Sequence, residues 1–282
     1  MPNHALFQLP APDVIAHALV RRLTDFAGVD WVEQTESTNS SLLTLARREG
    51  IAAGWPQLLG THHQTQGKGR LGRIWHNVAG RALMFSIGFA IAKGHAPTNL
   101  QGLGPAIGLA STLAIRRFLA APTRLQVKWP NDLMLEHGKC AGILIEVSNK
   151  ADHTFVIVGM GLNLFGHDTL EGTLGREVAD LGHELLPGTA ADELIATVAQ
   201  SWRETVMRIG REGFAGYQTD YASVDYLTNQ RVNIIDQGQT IATGIASGLA
   251  ADGSLQVKTD RGLQTFVAGD VSVRLNMRMP QS

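Results

Sequence analysis

Gly67-Lys68-Gly69-Arg70-Leu71-Gly72-Arg73 sets three cations among three glycines in seven consecutive residues. Glycine backbone can turn its N–H groups together onto an anion, and three like charges this close repel one another unless an anion sits among them. The spelling is formally G-x-G-x-x-G, but a dinucleotide site needs a helix straight after the loop and an acid some 20 residues on. Here a strand-like run follows and no acid does. A Walker A loop is excluded as well, because the Gly-Lys-Ser/Thr ending is missing. The bland alternative is a solvated basic turn.

A second candidate is Lys128-Trp129-Pro130-Asn131-Asp132-Leu133. Pro130 pushes Trp129 out of the helical region, so a strand runs into a turn here. Read blandly, this is a β-turn with Trp129 in the core. Read for chemistry, Asp132 is the first carboxylate after a long acid-free stretch and is bracketed by Lys128 and Lys139. A carboxylate among cations stays ionised and could receive a substrate ammonium. Gly159-Met160-Gly161-Leu162-Asn163 ends an apolar run, where glycine admits another backbone or a ligand and Asn163 offers a donor and an acceptor. Ser37-Thr38-Asn39 reads first as a helix cap, and secondarily as polar hooks for a neutral ligand head. His62 and His63 are adjacent, so on a strand they face opposite sides and cannot share a metal. Cys140, in an apolar setting, reads as a small buried hydrophobe rather than a nucleophile.

Charge is distributed unevenly. From Gly50 through Asn131 there is no Asp or Glu, while Lys68, Arg70, Arg73, Arg81, Lys93, Arg116, Arg117, Arg124 and Lys128 all fall inside. The other 15 of the 24 basic residues share the rest of the chain with all 25 acidic ones. A net charge of −1 offers no overall field for DNA or an anionic membrane, and the cationic segment points to a local anion site. At 282 residues, with 44% hydrophobic and 17% charged side chains, the chain can bury a sizeable core. A single cysteine excludes an internal disulfide framework. The longest charge-free apolar region, around Leu103 to Ile115, is too short for a bilayer. The expectation is a cytoplasmic protein with no membrane segment.

The positioning elements follow from periodicity and punctuation. Asp13 after Pro12 can cap a helix near 13–27, and Asp30 to Gln34 reads as a strand. The Ser37-Thr38-Asn39 cap precedes a helix carrying Leu42, Leu43, Leu45 and Ala46. Gln57 to Thr61 and the alternating Leu83 to Ile91 read as strands, and Pro105 opens an apolar helix to about Ala120. Leu125 to Lys128, Cys140 to Val147 and Phe155 to Leu162 are further strands. Thr189 to Asp192 looks like a capping box with a shortened acid, starting a helix to about Ile209. Beyond Thr228, short β-like runs are punctuated by Gly238, Gly244, Gly248, Gly253, Gly262 and Gly269. These predict an α/β (α+β) body, with a mixed central sheet and flanking helices over 1–227, and a small β-barrel over 228–282.

Taken in order, Glu36 to Asn39, Gln64 to Trp75, Lys128 to Leu133, Lys139 to Glu146, Gly159 to Asn163 and the Gly269-Asp270-Val271-Ser272 run resemble biotin protein ligase (biotin–[acetyl-CoA-carboxylase] ligase), over roughly residues 33–275. The resemblance implies that the C-terminal barrel is SH3-like. It also implies a two-step reaction: biotin and MgATP give biotinyl-5′-AMP, and a lysine of the biotin carboxyl carrier protein then displaces AMP. By the same resemblance Ser37, Thr38 and Gln64 hold the ureido end of biotin, with Asn39, Gly67, Gly69, Gly142 and Gly161 on the biotin side. Lys68 and Arg70 hold the carboxylate and then the mixed anhydride. Arg73 and Asn163 face the nucleotide, Trp75 lies against the adenine, and Lys128 and Asn131 join the ATP side. Lys139 clamps the acyl-phosphate oxygens, Asp132 orients or deprotonates the incoming lysine, and these two with Arg70 form the catalytic set. Mg2+ arrives with ATP, with no direct protein ligand, and a sheet-edge homodimer is among the family's arrangements. The family's loop usually reads Gly-Arg-Gly-Arg. Lys68 keeps the charge but not the planar fork, so backbone contacts are the ones expected to persist.

Two alternatives stand beside this. A lipoate-type ligase typically shows an Arg-Arg pair before a glycine triplet, which is not found here. A biotin-responsive repressor carries an N-terminal helix-turn-helix module, for which the stretch before Ser37, with one clear helix, is too little. No DNA binding is expected.

Overall fold

The computed structural model describes residues 7–93, 102–150, 152–166, 177–269 and 271–276. Asp270, within the Gly269–Ser272 run, lies outside them. A seven-stranded sheet is built from β1 (Gly28–Thr35), β2 (Gln57–Gln64), β3 (Ala82–Ala92), β4 (Leu125–Lys128), β5 (Asp132–Leu135), β6 (Gly138–Lys150) and β7 (His153–Asn163). The spatial order is β1-β2-β3-β7-β6-β5-β4, with β1 and β2 parallel and every other pair antiparallel. This is the mixed sheet expected. The strand at Asp132 is an addition: Trp129-Pro130-Asn131 makes the turn, and Asp132 already belongs to the next strand.

The two faces of the sheet are covered differently. Helix α3 (Leu103–Arg116) is buried around most of its surface, between the sheet and α4 (Ala191–Glu212). Phe85 of β3 stacks on Trp202 of α4 at 5.3 Å, and the Trp202 indole donates to Ser111 Oγ on α3 at 2.8 Å. On the opposite face, α2 (Thr38–Arg48) sets Leu42 and Leu43 against Ile157 of β7. Alternation along β7 therefore sends Val156, Val158, Met160 and Leu162 into the main core and turns Ile157, Gly159 and Gly161 toward α2.

Local capping matches the sequence at one helix and departs from it at two. Ser37 caps α2 in extended backbone and accepts from Ser40 N. Helix α1 (Pro12–Arg22) begins instead at Ala11, with Pro12 in its first turn and Asp13 inside the helix, and it ends well before residue 27. The capping box expected at Thr189–Asp192 is also absent. Ala190 occupies the cap position, Thr189 donates to Leu186 O, and Asp192 reaches across to Arg22 Nε at 2.5 Å. An ion pair between two helices has taken the acid that the local motif would have used.

A short helix α5 (Gln218–Ala222) leads to a second sheet made of β8 (Arg231–Asp236), β9 (Gln239–Leu249), β10 (Leu255–Thr259), β11 (Gly262–Phe266) and β12 (Ser272–Leu275). All its pairs are antiparallel, in the order β11-β10-β9-β8-β12. Val232, Ile234, Ala246, Leu255, Val257 and Val273 belong to the same hydrophobic cluster as the main core, and the buried Trp129 donates its indole N–H to Gly253 O at 3.0 Å.

Cys140 is fully buried, its thiol donating to Leu133 O, and burial pushes its pKa up to about 12. The thiolate is the reactive form. Native protein at pH 8 will therefore resist alkylation by iodoacetamide, and full labelling will require denaturant, as read by intact mass.

Candidate active site

Strand register builds the floor of the site. Met84, Gly161, Gly142, Asp132 and Lys128 are successive cross-strand partners on β3, β7, β6, β5 and β4, so they form one row on the α2 face. In a neighbouring row, Ser86, Gly159 and Leu144 are partners. The glycines make a trough that other side chains occupy. A Cβ on Gly161 would stand 2.3 Å from the Trp75 ring, and one on Gly159 would stand 2.1 Å from Asn39 Oδ1. Both contacts are possible only because no side chain is there.

One end of the trough is polar and uncharged. The N-terminus of α2 presents Ser37, Thr38 and Asn39, all buried. Thr38 N donates to Gln64 Oε1 at 2.9 Å, Thr38 Oγ1 lies 2.6 Å from Ser86 Oγ, and Ser86 Oγ donates to Asn39 Oδ1 at 2.6 Å. Asn39 Nδ2 donates to Glu146 Oε2 at 2.9 Å and toward Leu144 O at 3.4 Å.

The other end is cationic. The loop from Gly67 to Trp75 folds back on itself, with Trp75 N donating to Gly67 O at 2.9 Å and Gly69 N to Arg73 O at 2.7 Å. Its tip holds Leu71 in the left-handed region (φ 57°), a conformation that costs a side-chain-bearing residue about 1–2 kcal/mol. Lys68 Nζ donates to Ser40 Oγ at 2.9 Å. The Arg70 guanidinium donates to Asn131 Oδ1 at 3.3 Å and to the Ala268 carbonyl, so it joins the loop both to the β4–β5 turn and to the segment that follows β11. Burial lowers its pKa, Asp132 opposes that shift, and Arg73 adds to it. Lys139 Nζ donates to Asp132 Oδ1 at 2.5 Å and sits 5.5 Å from the centre of the Trp75 ring. A carboxylate and two cations, one of them tied to the carboxylate, thus stand over a glycine floor.

The polar and cationic ends open into one cavity of about 810 Å3. Of the residues singled out in the sequence, Ser37, Thr38, Asn39, Gln64, Lys68, Gly69, Arg70, Arg73, Trp75, Lys128, Asn131, Asp132, Lys139, Gly142 and Gly161 line it. Gly67 and Asn163 stand outside that lining. Gly67 closes the base of the loop, where a Cβ would meet Trp75 O at 2.8 Å. Asn163 is buried, and its amide points toward Ala179 O at 3.4 Å. The structure adds Ser86 from β3 and Ser272 and Arg274 from β12. Ser86 had a signal, a lone hydroxyl in an apolar strand. Arg274 had none, since only the docking of the second sheet brings it here.

His62 accepts from Trp31 Nε1 through Nδ1 at 2.9 Å, and its Nε2 faces Pro10 O at 3.0 Å, which uses both ring nitrogens in protein contacts. Among the described residues no cluster of three or more His, Cys, Asp or Glu could hold a metal ion.

Comparison with known proteins decides the family. Residues 31–163 match the model of the biotin/lipoate A/B protein ligase family, and residues 228–274 match the biotin protein ligase C terminal domain. Biotin–[acetyl-CoA-carboxylase] ligase of Mycobacterium tuberculosis is 32% identical over 249 residues, covering 86% of this chain and 88% of that protein. The chain belongs to the biotin/lipoate A/B protein ligase family. Within this ligase family, the bifunctional ligase/repressor BirA of Escherichia coli is 29% identical over 75% of this chain, and the match spans 64% of that protein's length. Among solved structures, a biotin protein ligase from Aquifex aeolicus in complex with biotin and ATP shares the fold, with a TM-score of 0.71 over 87% of this chain and 98% of that one at 23% identity. The mixed sheet with flanking helices and the C-terminal antiparallel sheet are thus the family architecture.

Proposed function

We propose that this chain is an ATP-dependent, AMP-forming biotin–[biotin carboxyl-carrier protein] ligase. A biotin carboxylate oxygen attacks the α-phosphorus of ATP, and the bond to pyrophosphate breaks to leave biotinyl-5′-AMP. The amine of a carrier lysine then attacks the acyl carbon, AMP departs, and an amide remains. The carrying observation is that the neutral polar end and the cationic loop open into one cavity over a glycine floor. Such a cavity accommodates a neutral head at one end and two anions that must meet at the other.

Each residue then has a task that its position supports. Ser37, Thr38 and Gln64 hold the ureido ring. Lys68, Arg70 and the loop amides hold the carboxylate, and these cations offset the repulsion between carboxylate and triphosphate. Arg73, Lys128 and Asn131 serve the nucleotide side, with Trp75 against the base. Holding both reactants in one cleft makes their encounter effectively intramolecular, and a loop closed over the anhydride keeps water out. Mg2+ enters as part of the ATP substrate. The Lys139–Asp132 pair orders the two steps. An arriving phosphate oxygen draws Lys139 off Asp132 and leaves a carboxylate free to take the proton of the acceptor lysine, whose free pKa is about 10.4. The carrier protein, a homodimeric state, action in the cytoplasm and the division at residues 227/228 complete the proposal. Among the described residues no helix is long and apolar enough to cross a membrane.

Incubation with biotin, MgATP and a biotin carboxyl carrier domain will raise the carrier's mass by one biotinyl group, and ATP–pyrophosphate exchange will depend on biotin. Exchange driven by lipoate and not by biotin would overturn the proposal. A related prediction concerns the floor. Gly161→Ala places a methyl where Trp75 lies, so the ring must leave the trough, and kcat/KM for ATP will fall about tenfold, in line with an overpacking cost of 1–3 kcal/mol. Unchanged ATP kinetics would separate Trp75 from the nucleotide.

A further inference from the structure

The hydrogen bonds around Thr38 have a direction, and that direction originates at a residue outside the cavity lining. A carboxylate oxygen accepts, so Glu146 takes an amide N–H of Asn39 at 2.9 Å and, with Leu144 O as a longer second acceptor at 3.4 Å, turns Asn39 Oδ1 toward Ser86. Ser86 must then spend its one proton on Asn39, at 2.6 Å. Its neighbour at 2.6 Å, Thr38 Oγ1, is left as a donor, to Ser86 or over a longer 3.3 Å to Gln64 Oε1. With that proton committed, the Thr38 oxygen can offer the cavity only lone pairs. Gln64 is oriented by the same residue: Thr38 N, a backbone donor that cannot reverse, holds Gln64 Oε1 at 2.9 Å, with Thr38 Oγ1 at 3.3 Å from that oxygen, which leaves the Gln64 NH2 as the remaining donor group. One acceptor beside one donor matches the N–H and C=O of a cyclic urea.

We propose that Glu146 is a positioning residue for specificity. Through Asn39 and Ser86 it fixes Thr38 as an acceptor and so selects a ligand ring that presents an N–H. The inference rests on the biotin reading of this cavity. Gly159 belongs to the device as well, since a Cβ there would stand 2.1 Å from Asn39 Oδ1 and 2.8 Å from Ser86 Oγ, at the middle of the chain. In a dry site such a chain acts as a unit, because each bond polarises the next.

The test compares Glu146→Gln and Glu146→Asp in the full-length protein, using biotin and a ring N-methylated biotin as substrates at saturating MgATP. Gln has the shape of Glu but can donate, so only the longer contact to Leu144 O is left to hold the chain's direction. Asp is shorter but accepts only. The expected result is a KM for biotin raised about tenfold in Glu146→Gln and less than threefold in Glu146→Asp, with the change in KM rather than kcat. The preference for biotin over the methylated analogue should shrink by a similar factor in Glu146→Gln only. A packing role predicts the opposite ranking, with Gln tolerated and Asp not, and that ranking would overturn the inference. Ser86→Ala cuts the chain at its middle and should reproduce the loss seen with Gln. Parent-like KM and selectivity in both Glu146→Gln and Ser86→Ala would also overturn it. Should the parent enzyme itself fail to use biotin, the underlying reading falls, which is a different result from equal use by parent and variant.

Discussion

Arg70→Ala will raise the KM for biotin by about two orders of magnitude and release biotinyl-5′-AMP into solution. The size follows from two losses at one side chain. A charged hydrogen bond to the substrate carboxylate contributes about 1.5–3 kcal/mol, and each 1.4 kcal/mol is a factor of ten. The second loss is mechanical. Arg70 links the loop to Asn131 on the β4–β5 turn and to Ala268 just after β11, so its removal leaves the loop without either tie. A cover that opens too readily exposes the anhydride to water and lets it escape. Chromatography of the quenched reaction, run without carrier protein, reads free adenylate directly. Arg70→Lys should fall between parent and Ala, because it retains charge without the fork. Wild-type biotin affinity with no free adenylate in Arg70→Ala would remove this residue from the reaction.

Asp132→Ala divides the two half-reactions. Biotin-dependent pyrophosphate exchange will stay within about threefold of the parent, while transfer from preformed adenylate to the carrier will slow about a hundredfold, the lower range for loss of a general base. The first expectation rests on Lys139. Without Asp132 it loses its 2.5 Å partner but keeps its place over Trp75, from which it can still meet phosphate oxygens. The second rests on the ammonium of the acceptor lysine, which must shed a proton without help. The residual transfer rate of the variant should therefore climb with pH more steeply than that of the parent. Rapid-quench transfer measured from pH 7 to pH 9 checks both statements, and equal loss of exchange and transfer would refute the division.

How much of this could be read from the chain depended on whether partners were neighbours in sequence. The loop at 67–73, the Lys128–Asp132 turn and the glycines at 159 and 161 each carry their signal within a few residues, so their chemistry was legible. That Gly161, Gly142, Asp132 and Lys128 form one row was not, because it depends on register across strands far apart in sequence. Glu146 stayed hidden for the same reason: its partner Asn39 sits on a helix that sequence places far away. Two helix starts differ from the local reading: α1 begins earlier, with Pro12 in its first turn, and at α4 a tertiary partner wins, as Asp192 shows by pairing with Arg22. Asn163 ends its strand as expected, yet its amide is directed to Ala179 rather than into the cavity.

Because the apolar side chains of β8, β9, β10 and β12 merge with those beneath the large sheet, the second sheet cannot melt by itself. Scanning calorimetry should therefore record a single endotherm. Cutting the chain near residue 228 should yield insoluble material rather than a smaller working enzyme, since the cut would bare a greasy face and strip Arg274 from the cleft wall.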